Sequence, residues 1–470
     1  VSMVLLLIWE AILVINIPPE RAPSPQLILG IPGLNPIIPI GYGIAALAIA
    51  IIFHEFAHGI LLRVNDLEIK SLGLLFLLFP IGAFVEPDEE KLLQVEKMKR
   101  ARIVSVGPVT NIIIAFLMIS FFLAMVNYSV ETKHEGLGIL MIPENSPSKE
   151  KLDKGYYLTE IYHTIYINDS HVRTTGRTIT NSTEFFLFMN ETYAGENIEV
   201  VGYDRENRPY VRNVTLRYNP NQDLYRAFSW YSAQPGFLGV NVTDDNGSVK
   251  ISKVYIDTPA DKKLLRPGYT ILKMKGINVT NVTVFYQLEK STKAGEKIEL
   301  IYYDGTSQKQ VDIEMTLNRG YVGVVVINPK SILKIMKNPA GIGSDVNGMF
   351  RNALTFLSFP FIGYSPVDEN LAIFYEVKGP FAGNSYLFWI VVNLFYWIFW
   401  LNLMVGLTNV LPVIALDGGY PYKDGWLYIL KRFTKYTPEK IESITKGITR
   451  VTSLIIILLI IWQFIGPRVL

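Results

Sequence analysis

Residues 27–53 contain no charged side chain, and this run leads directly into His54-Glu55-Phe56-Ala57-His58. An uncharged stretch of this length reads as a membrane-spanning helix. Ionisable groups inside such a helix cost on the order of a few kcal/mol or more, so their presence calls for a function and a partner. Helical residues four apart share a face, so His54 and His58 can offer two nitrogens to one metal ion, with Glu55 beside them. A water-soluble metal enzyme would have no use for the apolar flank.

Composition narrows the remaining donors. Half of the 470 residues are hydrophobic, which points to a membrane protein with a sizeable polar portion, and the net charge of +2 argues against a bulk nucleic-acid role. The absence of cysteine removes disulfides, thiolate zinc sites and cysteine nucleophiles together. The histidines are His54, His58, His134, His163 and His171. Catalytic Zn2+ takes three protein ligands and keeps a position open for water, so the third ligand is expected to be a carboxylate unless a loop histidine reaches the membrane.

Topology follows from charge. Residues 1–17 form an apolar segment stopped by Pro18-Pro19 and are expected to span, without a clear leader or cleavage site. Residues 71–85 are uncharged but broken by Gly73, Pro80 and Gly82, which suits a re-entrant hairpin better than a helix. A strand at that depth could pair with an extended substrate. Lys97, Lys99, Arg100 and Arg102 place the next segment in the cytoplasm, and residues 103–130 then cross outward. Residues 131–378 are therefore expected outside. The Asn-x-Ser/Thr sequons at Asn168, Asn181, Asn190, Asn213, Asn241, Asn246, Asn278 and Asn281 are confined to this region, with Asn127 at its threshold. Residues 349–362 suit an interfacial helix or a cap on the region above. Residues 381–416 return to the cytoplasm and end at Asp417-Gly418-Gly419, a basic loop follows, and residues 451–467 form the last span. The absence of cysteine and the many sequons suit an archaeal cell membrane.

The outer region repeats itself. Gly155-Tyr156-Tyr157-Leu158 and Ala194-Gly195-Glu196 are echoed by Gly268-Tyr269-Thr270-Ile271 and Ala294-Gly295-Glu296. Short alternating strands with one helix before each Ala-Gly-Glu turn, opened by Gly136-Leu137-Gly138-Ile139 or Leu238-Gly239-Val240, resemble PDZ domains. That resemblance implies a sheet edge to which a peptide adds as a strand. The expected organisation is an N-terminal membrane core at 1–130, PDZ-like modules at 131–230 and 235–328, a linker with an interfacial helix at 329–380, and a C-terminal membrane core at 381–470. The fold class is a polytopic α-helical membrane protein with a membrane-embedded hairpin and an extracytoplasmic β-rich region of two PDZ-like modules.

The topology places Asp417 near the cytoplasmic end of its span, at the depth of His54 and His58, which makes it the expected third ligand. Glu55 is the expected base, taking a proton from water and passing it to the leaving amine. Asn409 and Asn111 are candidates for stabilising the oxyanion, though amides in membrane helices also bond simply to neighbouring helices.

His-Glu-Phe-Ala-His at 54–58, Gly107-Pro108 with Asn111, and Asn409-x-x-Pro412 leading to Leu416-Asp417-Gly418 together resemble the site-2 protease family of intramembrane zinc metalloproteases. The resemblance implies zinc on His54, His58 and Asp417, Glu55 as catalytic base, and Gly82-Ala83-Phe84-Val85 in a membrane-embedded β-hairpin that helps present substrate. It also implies regulated cleavage of transmembrane segments of other proteins in the lipid bilayer, with the PDZ-like modules filtering bulky substrates. Tyr420 departs from the family pattern, in which a basic or imidazole residue is common, but it is not a ligand position. Two other classes compete with this reading. A catalytically inactive receptor would bind peptide segments in the PDZ-like grooves, and a metal transporter would spread ligands across the bilayer rather than at one depth.

Overall fold

The computed structural model describes residues 2–16, 24–28, 32–76, 80–167, 170–218, 237–245, 247–256, 258–316, 320–362 and 367–469. Pro18-Pro19 and the sequons at Asn168 and Asn246 lie outside these residues. The chain forms two compact units, one of Val1–Glu131, Lys334–Asp368 and Glu376–Leu470, the other of Thr132–Leu333 and Glu369–Tyr375.

The first unit is built from helices α1 (Ser2–Leu13), α2 (Ile40–Val64), α3 (Glu89–Gln94), α4 (Lys97–Ser129), α5 (Val346–Ser358), α6 (Ser385–Asn409), α7 (Gly419–Phe433) and α8 (Pro438–Val469). An antiparallel hairpin of β1 (Ile69–Phe76) and β2 (Pro80–Pro87) joins α2 to α3. Four described helices, α2, α4, α6 and α8, are long and apolar enough to cross a membrane. In the segment expected to span, residues 2–16 form the 12-residue helix α1 followed by a short 3-10 turn, Val14–Asn16.

Helices α2, α4 and α6 pack against one another and form the centre of this unit. Helix α2 stops at Asn65, whose side chain donates to the Leu61 carbonyl (2.8 Å). Asp66 then takes a left-handed conformation (φ 55°) that turns the chain into the hairpin. Inside α4, Pro108 has no N–H to give the preceding turn, which frees backbone acceptors there. The polar groups of α6 are put to use: Tyr396 and Trp400 donate to the carbonyls of Phe356 and Leu357 (2.8 and 2.9 Å). Both carbonyls lie in the last turn of α5, where Phe356 also accepts from the Phe359 N–H, so the two side chains lash this end of α5 to α6.

The second unit contains two six-stranded sheets of one design. In the second sheet the order is Val240–Asp245, Ser248–Val254, Thr270–Met274, Lys297–Tyr303, Gln308–Glu314, with Ile277–Asn278 also paired to Thr270–Met274; in the first it is Val325–Ile327, Leu137–Met141, Tyr157–Ile167, Asn197–Tyr203, Pro209–Thr215, with Ser170–Thr178 also paired to Tyr157–Ile167. Each sheet carries one helix, Ser182–Asn190 or Val282–Ser291, whose N-cap asparagine (Asn181, Asn281) accepts from the backbone N–H of Glu184 or Val284. Apolar residues at alternate strand positions and one helix face fill each core, with Phe185 and Phe285 in equivalent places.

The two sheets are nested rather than consecutive. Val325–Ile327 follows the entire second sheet in sequence yet pairs with Leu137–Met141 as the edge of the first. This corrects the match between Gly136-Leu137-Gly138-Ile139 and Leu238-Gly239-Val240. By pairing, Leu137–Met141 is the counterpart of Ser248–Val254, since both join the strand that begins near the Gly-Tyr pair. The counterpart of Phe237-Leu238-Gly239-Val240 is Tyr321-Val322-Gly323-Val324. A repeat search along the chain misses this, because one half of the outer module lies beyond the inner one.

Candidate active site

His54 and His58 lie one turn apart on α2, Asp417 follows α6, and the three meet. His54 Nε2 and His58 Nε2 stand 3.0 and 3.4 Å from Asp417 Oδ2 and 3.3 Å from each other. His54 is buried and the other two are partly buried.

The tautomer of His58 is set by its neighbour. Its Nδ1 is 2.8 Å from the Ile103 carbonyl, which only accepts, so Nδ1 carries the proton and Nε2 presents a lone pair. That carbonyl lies in the turn of α4 just before Pro108. His54 Nδ1 lies 3.3 Å from the Asn111 amide nitrogen, Asn111 is fully buried, and exchanging the amide's oxygen and nitrogen brings the oxygen to that place. With the amide oxygen turned toward Nδ1–H, His54 also presents Nε2 as a lone pair, and the otherwise partnerless Asn111 oxygen is satisfied. Two lone pairs and a carboxylate oxygen that lacks a hydrogen-bond donor then converge with no proton between them. Such an arrangement is stable only around a cation, so the residues fit a metal ion, and Zn2+ suits a set of two imidazoles and one carboxylate.

Several residues outside the cluster shape this centre. A Cβ on Gly107 would overlap Nε2 of both imidazoles, so glycine leaves the space that the cluster occupies. The loop carrying Asp417 closes through Gly418 N–H to the Asn409 carbonyl (2.8 Å), and a Cβ at Gly418 or Gly419 would strike the backbone of residues 410–414. Ser453 on α8 accepts from Ile414 N–H (3.0 Å), and Arg100 on α4 makes a two-pronged, buried pair with Asp424 on α7 (2.6 and 3.0 Å). Ser453 and Arg100 had no distinguishing signal in the sequence. Gly107 did have one, since it lies in the quoted Gly-Pro motif, but its reason is visible only in three dimensions.

Glu55 points at the hairpin: its Oε2 accepts from Val85 N–H at 2.9 Å. Asn409 and Asp417 both line a cleft of about 680 Å3 whose other walls are largely apolar and include Val4, Pro108 and Ile112. Asn111 therefore sits behind His54, whereas Asn409 borders the space open to a ligand. His134 and His163 belong to the other unit, where they contact Asn207 and Glu196.

The donor set and the apolar helices around it define a candidate metal centre among helices long and apolar enough to cross a membrane. The model of peptidase family M50 matches residues 42–458, and the chain belongs to that family, the site-2 proteases. An uncharacterized protein of Methanocaldococcus jannaschii is 37% identical over 144 residues, which cover 30% of this chain and 36% of that protein. The match thus spans about a third of the relative's length. Among solved structures, the HtrA-type protease AlgW with a decapeptide is 13% identical, with a TM-score of 0.18, covering 39% of this chain and 64% of its own. A variant of the same protease with a decapeptide is 14% identical, also with a TM-score of 0.18, covering 39% of this chain and 63% of its own.

Proposed function

We propose that this protein is an intramembrane zinc metalloprotease that hydrolyses peptide bonds within or near transmembrane segments of other membrane proteins, as a step of regulated intramembrane proteolysis. The observation that carries this reading is the convergence of His54 Nε2, His58 Nε2 and Asp417 Oδ2 beside Glu55 on apolar helices. Zinc, when bound, supplies Lewis-acid activation of water and of the scissile carbonyl. Glu55 takes the proton from water and delivers it to the leaving amine. Asn409, at the rim of the cleft, donates to the developing oxyanion, and Asn111 holds the His54 ring.

The hairpin supports a role in presenting substrate. Val85 pairs with Leu72, but its N–H points to Glu55, so it lies on the edge of β2 away from β1. Alternation along an antiparallel strand puts Ala83 on the same edge. An extended substrate backbone placed there runs past Glu55, which suits a membrane-embedded hairpin. Basic residues at the start of α4 and after Asp417 put the site near the cytoplasmic face, and the β-rich unit is then extracytoplasmic. Its two modules are read as PDZ-like domains that bind peptide segments. A protease-accessibility map of sealed vesicles, with cleavage of residues 132–333 only from the outer side, is the expected topology; cleavage from the cytoplasmic side alone would reverse it.

The activity itself is tested with purified protein in detergent and a substrate containing one transmembrane segment. Cleavage should require zinc and be lost in Asp417→Ala together with the metal. A variant that keeps full zinc occupancy would remove Asp417 from the site.

A further inference from the structure

The two sheets of the β-rich unit are internal copies, which makes each a control for the other. Beyond the strand order, Gly195 and Gly295 donate to the carbonyls of Leu216 and Met315 (2.8 and 2.9 Å). Leu216 and Met315 in turn donate to Glu196 and Glu296 (both 2.8 Å). In each copy the outermost strand is preceded by an aromatic-aliphatic-Gly-Val loop with the glycine in a left-handed conformation, Gly239 at φ 95° and Gly323 at φ 74°. A Cβ on either glycine would overlap the neighbouring Thr258 or Ser146.

At one position the copies differ in chemistry. In the second sheet the loop N–H of Leu238 donates to Glu289 Oε1 at 2.9 Å, and both residues are buried. Glu289 lies on the helix Val282–Ser291. Aligned through Ala194-Gly195-Glu196 and Ala294-Gly295-Glu296, the corresponding residue of the first helix is Met189, which has no acceptor to offer. Among the described residues, no acceptor meets the equivalent N–H of Val322.

We propose that Glu289 is a built-in ligand that closes the second loop. Its carboxylate takes the N–H that would receive the terminal carboxylate of a peptide, so only the first loop, Val322-Gly323-Val324, is open to one. The occupant is identified by the copy: the same backbone position already holds a carboxylate in the second sheet. Val325–Ile327 continues from this loop as the outermost strand of its sheet among the described residues, an edge along which the rest of an extended peptide can add. Burial that raises the Glu289 carboxyl is consistent with its being held inside the module rather than in solvent. The inference rests on reading the modules as peptide-binding and does not depend on the protease chemistry.

The test uses the full chain in detergent micelles and a pool of random hexapeptides with free C-terminal carboxylates, compared with the same pool amidated. Equilibrium dialysis of the wild type should retain about one equivalent of the free-acid pool and little of the amide. Glu289→Met, which copies the first helix, should raise this to about two, while Glu289→Gln, whose amide oxygen still accepts from Leu238, should stay at one. Met189→Glu should close the first loop and lower retention at least tenfold, and it carries the test alone if Glu289→Met does not fold. Two equivalents on the wild type, or unchanged retention in Met189→Glu, would overturn the role of Glu289 while leaving peptide binding intact. No free-acid binding by any variant would overturn both.

Discussion

Glu55 accepts the backbone N–H of Val85 at 2.9 Å, tying the base candidate on α2 to the outer edge of the hairpin. The carboxylate that must reach water is thus held by the strand on which a substrate would lie.

For Glu55→Gln, zinc content should remain near that of the wild type while cleavage of a membrane-spanning substrate falls by at least ~100-fold, as expected when a general base is removed. Metal analysis and single-turnover cleavage on one preparation check this. Unchanged cleavage would remove Glu55 from the base role.

Gly107→Ala should cost the metal rather than the fold. The added methyl competes for the space of both imidazoles, whereas alanine suits a helix. The expected outcome is a large loss of zinc affinity with helical content and elution volume retained. Full zinc occupancy would show that α4 can move aside.

Asn111→Leu tests whether the amide acts on His54 or on the reaction. Loss of an outer partner of a metal ligand typically costs ~10- to 100-fold in metal affinity. A zinc titration should therefore shift by that order, and saturating zinc should restore most of the cleavage. Loss of turnover at normal zinc affinity would instead favour contact with the oxyanion.

Burial pushes the Glu289 carboxyl up to about 7 from an ordinary 4.5. Between these values the folded module holds more protons than the unfolded one, so its stability falls as pH rises through this window. The total is on the order of 3 kcal/mol. Chemical denaturation read by a fluorophore in the second sheet should show this slope in the wild type and a flatter one in Glu289→Gln. Equal slopes would assign it to another group.

What could be read from the sequence follows the range of its signals. Helices α2, α4, α6 and α8 are uncharged over most of their length, so composition marks them. The His54, His58 and Asp417 cluster was within reach because charge placed two distant segments at one depth. Asn181 and Asn281 stand in sequons, yet each also caps a helix, which supplies a structural reason for asparagine in both copies. Gly107, Ser453 and the Arg100–Asp424 pair act through contacts between elements far apart in the chain, and no local pattern carries that information.

The nested sheets also impose an order on biogenesis. As the chain is made from its N-terminus, the inner sheet has all its strands by Glu314, whereas the outer sheet, begun earlier at Leu137, waits for Val325–Ile327. The pairing of Ile139 with Val326 is of long range and therefore slow to form. The edge of the outer sheet therefore stays open until residues beyond the whole inner sheet have been made. A stalled chain ending before Val325 should contain a finished inner module and an outer one still open to proteolysis.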